Sequence, residues 1–393
     1  MGSQLCRICP THLAGIFTSN APFGFQIQSS LSDPQKSPFP TDELTSLKNK
    51  DKTMALALEY LHDDQQFASV WQSDSIHPET RRWMRKLIQI QTINAVFNGF
   101  YRLSDGTKVR LDINRMNWAA ENSKLYEGYN DDEYSPTQQE HLYEEIAKIY
   151  VADGDCLDAV LCLKKNRSNC NPVVLNMANA FTPGGGWRDG SGAQEENLHR
   201  RTNLFQCLED SYNQLSDKRN WSYPIPEFGG IYSPNVSVFR GSEINGYPFF
   251  PNGPEYISFI ACAAYSFPNT KMNAYGELEL YGEDTILRTK KKIETILKIA
   301  LDNNHDTVIL SAFGCGAFRN PPKHMAKLFQ EVIDSKYSHA FKYIIFAIIE
   351  DHNSARSHNP EGNIVPFSRV FNVPVLTVPQ LEQLISSHLT SAL

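Results

Sequence analysis

The chain has 393 residues, with 37 Lys and Arg against 44 Asp and Glu and a formal net charge of −7. Apolar residues make up 41% and charged residues 21%, a composition that excludes a wholly disordered chain. The negative balance argues against a protein that coats nucleic acid through bulk charge, although a local backbone site can still bind phosphate. Residues 1–25 lack a basic start followed by an apolar block, and the longest apolar run, 343–349, is too short to span a membrane. We therefore expect a cytoplasmic or nuclear protein.

The N-terminal third lacks the pattern of the rest of the chain. Residues 1–55 show no sustained hydrophobic period and are predicted to be a flexible leader. A helix is predicted to begin after Pro78, because its apolar residues recur at spacings of three and four. A second helix is predicted near residue 136, where Ser135 can cap and Pro136 fits the first helical position. Residues 56–148 are therefore predicted to form a helical accessory region.

The eight cysteines are scattered along the chain. Without a secretion signal we expect them to be reduced thiols. Cys6 and Cys9 form one C-x2-C near His12, but no second pair follows, so a zinc site is not predicted.

From residue 149 the pattern changes to alternating strands and helices. Strands are predicted at 149–153, 171–179, 256–265, 306–314 and 342–351, and helices at 156–165, 194–210, 283–303 and after 320–322. Near-continuous apolar strands between helices predict an α/β sheet that is covered on both faces. The segment 212–255 is rich in Pro, Gly and Tyr and is predicted to form long loops or a hairpin at the mouth of a site.

The most informative stretch is 173–201, VVLNMANAFTPGGGWRDGSGAQEENLHRR. Three glycines, 184–186, let backbone N–H groups approach a ligand, and a helix opens at 194–196 with Gln-Glu-Glu. A carboxyl at such a loop-to-helix junction can act as acid or base. The amides of Asn176 and Asn179 can pair with sugar hydroxyls, although Asn176 can equally satisfy the strand backbone. Ligands of α/β sheets bind beyond the carboxyl ends of strands, where these residues fall.

A second glycine-rich turn, GCGAFR at 314–319, follows a predicted strand and precedes a helix. Its N–H groups can therefore hold a diphosphate. A Walker loop is excluded, because Trp187 rather than Lys follows the third glycine of the first turn. The second turn matches only half of a dinucleotide fingerprint, which speaks against a dinucleotide oxidoreductase.

Together these motifs resemble the microbial (bacterial and fungal) type of poly(ADP-ribose) glycohydrolase. VADGDCLDAV is similar to the family's adenine-contacting segment, the GGG-x7-QEE run to its signature, and LSAFGCGAFRNPP to its diphosphate loop, in the family's order. The resemblance covers roughly residues 75–375. It implies an α/β, macrodomain-like mixed sheet sandwiched by helices, with an N-terminal helical extension. On this basis we assign residues 149–378 to a macrodomain-like catalytic domain and 379–393 to a C-terminal tail or helix.

The resemblance also implies roles for individual residues. Glu196 matches the catalytic acid, Glu195 its partner at the ribose hydroxyls, and Gln194 a positioning residue. Asp155 matches the adenine contact and Asn179 the ribose-contacting Asn. The loop matches are Gly184, Gly185 and Gly186 at the distal ribose and diphosphate, Gly314, Cys315, Gly316 and Ala317 at the diphosphate, and Phe318 at the terminal ribose pocket. Arg319 replaces a small residue of the family and would add positive charge near the diphosphate.

The resemblance implies hydrolysis of ribose–ribose bonds. That reaction passes through an oxocarbenium-like state, and its leaving oxygen needs a proton, which Glu196 would supply. The implied partners are poly(ADP-ribose) or an ADP-ribosylated protein, with ADP-ribose as product, nucleic acid only as an ADP-ribosylated target, and no membrane. No metal or other cofactor is implied. The alternatives are a mono-ADP-ribosyl hydrolase acting on a protein side chain or nucleic acid, and a non-catalytic ADP-ribose-binding module, against which the two glutamates argue.

Some of these residues have purely structural alternatives. Asp155 is also a natural N-cap, and Trp187 can stack on a base or only cover the loop. Cys315 has no neighbouring His in the sequence and is expected to serve as a small loop residue rather than a nucleophile. Three residues near the last long strand are expected to be solvated rather than metal ligands: Asp351, His352 and His358.

Overall fold

The computed structural model describes residues 61–73, 76–128, 142–166, 170–209 and 218–390. The leader 1–55, the Cys6–Cys9 pair and the helix predicted near residue 136 lie outside these ranges.

Helices and strands alternate through most of the described chain. The helices are α1 (Asp64–Trp71), α2 (Pro78–Asn98), α3 (Ile113–Glu121), α4 (Cys156–Asn166), α5 (Gln194–Arg201), α6 (Leu204–Leu208), α7 (Glu283–Asp302), α8 (Pro322–Val332), α9 (Ile364–Phe371) and α10 (Val378–Thr390). The strands are β1 (Phe100–Arg102), β2 (Lys108–Arg110), β3 (Lys124–Tyr126), β4 (Lys148–Asp153), β5 (Pro172–Met177), β6 (Gly230–Val238), β7 (Glu255–Cys262), β8 (Thr270–Met272), β9 (Leu278–Leu280), β10 (Thr307–Leu310), β11 (Tyr343–Ile348) and β12 (Val375–Thr377). The helix predicted from Pro78 is α2, which the left-handed Gly99 terminates.

Eight strands form one mixed sheet in the order β12-β4-β11-β10-β5-β7-β6-β3. The pairs from β12 to β7 are parallel, whereas β6 runs antiparallel to both β7 and β3. Because the strands from β12 to β7 are parallel, their carboxyl ends meet at one edge of the sheet. The predicted mixed α/β sheet is confirmed.

Both faces of the sheet are buried, because successive side chains of a strand point to opposite sides. Leu310 and Phe346 pack on one side with residues of α7, α8 and α9. Their neighbours Ile309 and Ile345 pack on the other side with residues of α3, α4, α6 and α10. This two-sided burial explains why the central strands read as continuous apolar runs.

The single helix predicted for 194–210 is wrong, because the chain breaks between α5 and α6. Thr202 is extended, at φ −142° and ψ 174°, and forms an antiparallel bridge with Val238. Its hydroxyl donates to the Leu198 carbonyl at 2.8 Å and accepts from the Leu204 N–H at 3.0 Å. Pairing with β6 therefore replaces the helical hydrogen bonds at this point.

The described part of the segment 212–255, from residue 218, is not made of loops alone. It contributes β6, which pairs antiparallel with β7, so the hairpin alternative is the better one. The register shifts between Ser233 and Val236, and Pro234 lies in that irregularity, where a strand tolerates proline.

The helices α1 and α2 pack beside the sheet rather than on it. Phe67 and Trp71 of α1 share a buried cluster with Leu87 of α2 and with Tyr247. Farther along α2, Val96 joins Trp187 in a second cluster, which places α2 next to the loop after the triple glycine. No helix within the described ranges is long and apolar enough to cross a membrane.

Candidate active site

A cavity of about 660 Å³ opens at the carboxyl ends of β4, β5, β10 and β11. The predicted site residues that line it are Asp155, Asn179, Gly185, Gly186, Gln194, Glu195, Glu196, Gly314, Gly316, Ala317 and Phe318. Asn176, Gly184 and Cys315 do not line it. The structure therefore brings both glycine-rich turns, the paired glutamates and Asp155 to one concave surface, as expected for a ligand site of an α/β sheet.

The first turn of α5 holds two buried carboxyls against the glycine loop. Glu195 accepts hydrogen bonds from the N–H groups of Asn179 at 2.7 Å and Gly184 at 3.0 Å, one on each oxygen. Glu196 accepts one hydrogen bond, from the Gly186 N–H at 3.0 Å on Oε1. Its Oε2 is buried without a hydrogen-bond partner in the described chain. The two adjacent carboxyls thus differ: each oxygen of Glu195 accepts an N–H from the loop, whereas Glu196 has one oxygen without a protein partner.

Burial raises the pKa of Glu195 well above its ordinary value. The N–H donors of Asn179 and Gly184 oppose that rise, whereas the neighbouring charge of Glu196 adds to it. Glu195 therefore holds its proton to higher pH than an exposed carboxyl does.

Gln194 and Asn179 hold the start of α5 and the glycine loop in place. The Gln194 side chain accepts from the Met177 N–H at 2.9 Å and donates to the Leu175 carbonyl at 2.6 Å, so it fastens α5 to the end of β5. Asn179 accepts from the N–H groups of Phe181 and Thr182 and thereby shapes the turn before the glycines. Asn176 is fully buried and does not line the cavity, and neither polar atom of its amide has a hydrogen-bond partner within the described chain.

Gly185 is the point where the loop approaches both carboxyls. Its φ is +54°, and a Cβ would lie 2.8 Å from Oε1 of Glu196 and 3.1 Å from Oε2 of Glu195. We expect Gly185→Ala to lower ADP-ribose affinity by about tenfold or more, because it adds a left-handed strain of about 1–2 kcal/mol and displaces the carboxyls. Calorimetric titration with ADP-ribose measures the change.

The matched control for that variant is Gly276→Ala. Gly276 has a similar φ, +75°, but a Cβ there meets nothing within 4 Å. It carries the backbone strain without the clash, and unchanged affinity in both variants would show that the loop does not contact the ligand.

His199 lies directly beneath the glycine loop. Its Nδ1 bonds the Glu195 carbonyl at 2.8 Å, and its ring lies 5.3 Å from that of Trp187. Burial lowers the pKa of His199 from 6.5 to about 3. Trp187 is also fully buried, against Phe205, so it supports the loop and does not stack on a base.

We expect His199 to contribute to the pH dependence of the free energy of unfolding. The folded state keeps this imidazole neutral while the unfolded state protonates it, so the free energy of unfolding should fall as the pH drops from 6.5 towards 3. The contribution approaches about 1.4 kcal/mol per pH unit. Denaturant unfolding at several pH values should give His199→Gln a shallower slope than wild type; parallel slopes would contradict the assignment.

The second glycine-rich turn is held by Asn320. The Asn320 amide donates to the carbonyls of Tyr265 at 2.7 Å and Gly314 at 3.1 Å. Gly314 has a φ of +75°, and a Cβ there would lie 2.5 Å from Nδ2 of Asn320. This packing leaves Gly314, Gly316 and Ala317 at the cavity surface, while Cys315 is buried in the core, where burial raises the pKa of its thiol. A nucleophilic role for Cys315 is not supported.

Arg319 does not add charge to the cavity, so that expectation is wrong. It is exposed, adopts a φ of +60°, and places its guanidinium over the Phe267 ring at 4.9 Å. It does not line the cavity, whereas its neighbour Phe318 does.

Asp155 caps α4 and forms a buried ion pair that the sequence analysis missed. Its Oδ1 accepts from the Leu157 N–H at 2.8 Å and from Nη1 of Arg201 at 2.5 Å. Arg201 is fully buried and also reaches Asp158 at 2.7 Å. The N-cap alternative is correct, and because Asp155 also lines the cavity it remains available to a ligand.

The N-terminal helices supply a wall of the cavity that the motifs did not indicate. Trp71 of α1 and Arg81 and Arg85 of α2 line it, together with Glu243. Arg85 pairs with Glu243 through two hydrogen bonds, of 2.7 and 2.9 Å. Nothing local marks these residues, because only tertiary packing carries them to α5.

The residues near the end of β11 do not assemble a metal site. His358 is buried and bonds the Cys315 carbonyl at 2.9 Å, while His352 is exposed beside Asp351. Within the described ranges no cluster of His, Cys, Asp and Glu could hold a metal ion.

Comparison with known proteins agrees with this geometry. Residues 90–241, which include the GGG-x7-QEE segment, match the family model "Microbial-type PARG, catalytic domain". A poly(ADP-ribose) glycohydrolase from Thermomonospora curvata, solved with the inhibitor ADP-HPD, has 23% identity and a TM-score of 0.54 over 72% of this chain and 98% of that one. The enzyme from Deinococcus radiodurans, solved with ADP-ribose, has 22% identity and a TM-score of 0.51 over 67% of this chain and 99% of that one.

The structural matches and the family match support different conclusions. The structural similarities confirm the macrodomain-like fold. The family model covers residues 90–241, less than half of the chain, and agrees with the resemblance expected from the motifs. No curated protein sequence matches the chain.

Proposed function

We propose that this chain hydrolyses the ribose–ribose O-glycosidic bonds of poly(ADP-ribose) and releases ADP-ribose. Its residues 90–241 match the model of the microbial-type poly(ADP-ribose) glycohydrolase catalytic domain. The main observation behind the proposal is that the two carboxyls at the start of α5 differ in their hydrogen bonds. One is held by two backbone N–H groups, and the other keeps a buried oxygen without a protein partner.

Glu196 is proposed as the general acid. As the bond between the anomeric carbon and the leaving oxygen breaks, Glu196 transfers its proton to that oxygen and becomes a carboxylate. Water then adds to the anomeric carbon, and its proton returns to Glu196, so the enzyme is restored. The hydrogen bond from Gly186 to Oε1 fixes the carboxyl and leaves Oε2 for the proton transfer.

Glu195 and the loops are proposed to orient the substrate. Glu195 would contact the ribose hydroxyls, with Gly184–Gly186 against the distal ribose and the second glycine-rich turn, 314–317, against the diphosphate. Phe318 would shape the terminal ribose pocket and Asp155 would contact adenine. The relatives solved with ADP-ribose or ADP-HPD support a ligand of this class in the same fold.

The partners follow from this proposal. Poly(ADP-ribose), or a protein that carries it, is the substrate, and nucleic acid enters only if it is itself ADP-ribosylated. A cytoplasmic or nuclear place of action stays a prediction.

The decisive experiment incubates the purified protein with auto-modified poly(ADP-ribose) polymerase and follows free ADP-ribose over time. Release from chains supports the proposal. Removal of only the last, protein-linked unit would replace it with a mono-ADP-ribosyl hydrolase. Binding of ADP-ribose without any release would leave a non-catalytic binding module.

A further inference from the structure

The wall contributed by α1 and α2 adjoins the catalytic carboxyl. A Cβ at Gly192, two residues before α5, would lie 2.1 Å from Cζ of Arg85, so this guanidinium packs directly on the segment that leads into Glu196. Arg85 and Arg81 both flank the Trp71 ring, at 4.8 and 5.0 Å. All three side chains line the same cavity as Glu196.

The two arginines of this wall differ in charge balance. Glu243 neutralises Arg85 with a bidentate pair. Arg81 donates one hydrogen bond, to the Trp71 carbonyl at 3.2 Å, and its Nε is buried without a hydrogen-bond partner. No carboxylate pairs with Arg81 within the described residues, so Arg81 brings an uncompensated positive charge to the cavity.

We propose that Arg81, supported by Trp71 and Arg85, forms a leaving-group subsite that binds the diphosphate of the adjoining ADP-ribose unit. The inference rests on the proposed function, because the leaving group must emerge on the Glu196 side of the scissile bond. In poly(ADP-ribose) the leaving oxygen belongs to the adjoining ADP-ribose unit, which contains a diphosphate. A half-buried guanidinium with a free donor suits a phosphate, since it binds through charge-assisted hydrogen bonds.

The test compares two substrates in Arg81→Gln and wild type. One is poly(ADP-ribose); the other is an ADP-ribose whose distal anomeric carbon carries an uncharged 4-nitrophenoxy group. The ratio of kcat/KM for polymer to kcat/KM for the aryl substrate should fall about tenfold or more in Arg81→Gln, the value of one hydrogen bond to a charged group. Arg81→Lys, which keeps the charge, should lose less.

Arg82→Gln is the matched control. Arg82 is the next residue of α2, is exposed and does not line the cavity, so its ratio should equal that of wild type. ADP-ribose affinity and the melting temperature of each variant are measured alongside.

Each outcome decides between the two proposals. An unchanged ratio in Arg81→Gln overturns the subsite and leaves the proposed function standing. Equal losses on both substrates, with weaker ADP-ribose binding, also overturn it, because Arg81 would then belong to the ADP-ribose site. A wild-type protein that hydrolyses neither substrate overturns both proposals.

Discussion

Replacing Glu196 by glutamine is expected to abolish most turnover and to leave ADP-ribose binding nearly intact. The amide oxygen can still accept the Gly186 N–H, while the amide nitrogen replaces an oxygen that has no protein partner. Only the transferable proton is lost, and general acid catalysis contributes roughly 10²–10⁴-fold to a rate. Release of ADP-ribose from polymer measures the first effect, and calorimetry with ADP-ribose measures the second.

Glu195→Gln provides the contrast. Both oxygens of Glu195 accept backbone N–H groups, so an amide nitrogen on either side faces another donor. We expect this variant to lose affinity as well as rate, because the glycine loop shifts. Near-wild-type turnover in Glu196→Gln would remove Glu196 from its role, whatever Glu195→Gln does.

Replacing Arg201 by methionine is expected to lower the free energy of unfolding by roughly 3–5 kcal/mol, the cost of leaving buried charge without its partner. Arg201 is fully buried, and its Nη1 and Nη2 atoms pair with Asp155 and Asp158, respectively. Its Nε also donates to the Arg240 carbonyl at 3.1 Å. Denaturant unfolding at neutral pH measures the change, and weaker ADP-ribose binding should accompany it, because Asp155 lines the cavity.

Two comparisons make the result specific. Combining the change with Asp155→Asn and Asp158→Asn should restore part of the loss, since the whole charge cluster is then neutral. Arg369→Met breaks the exposed pair with Glu361 and should cost no more than about 1 kcal/mol. A similarly small loss in Arg201→Met would mean that the buried cluster does not stabilise the fold.

Much of the architecture was predictable, because the central strands are apolar on both faces and the helix α2 carries its own start and stop signals. The glycine loop and the Gln-Glu-Glu run were visible as a local motif with a chemical use. The break at Thr202 was not, since neither proline nor glycine marks it and a bridge to β6 decides it. The same holds for β6, whose Pro234 is tolerated only because the strand is irregular there.

The missed site residues have a common cause. Trp71 and Arg81 reach the cavity through the packing of α1 and α2, more than a hundred residues before α5 in the chain. Arg201 was visible only as a basic residue of a predicted helix, and its two partners lie at the start of α4. Spacing along one segment cannot report such contacts, because they depend on how distant elements pack.

The short strand β3 determines where the chain can be shortened without damaging the main sheet. It belongs to the N-terminal region, yet it pairs with β6 at the end of the main sheet, and Ser123 beside it accepts a hydrogen bond from Trp221 at 2.9 Å. A chain shortened to begin at residue 149 would leave the edge of β6 that faces β3 unpaired, and such an edge invites pairing between molecules. A fused domain is better tolerated at the tip of the β8–β9 hairpin, where Tyr275 is 88% exposed.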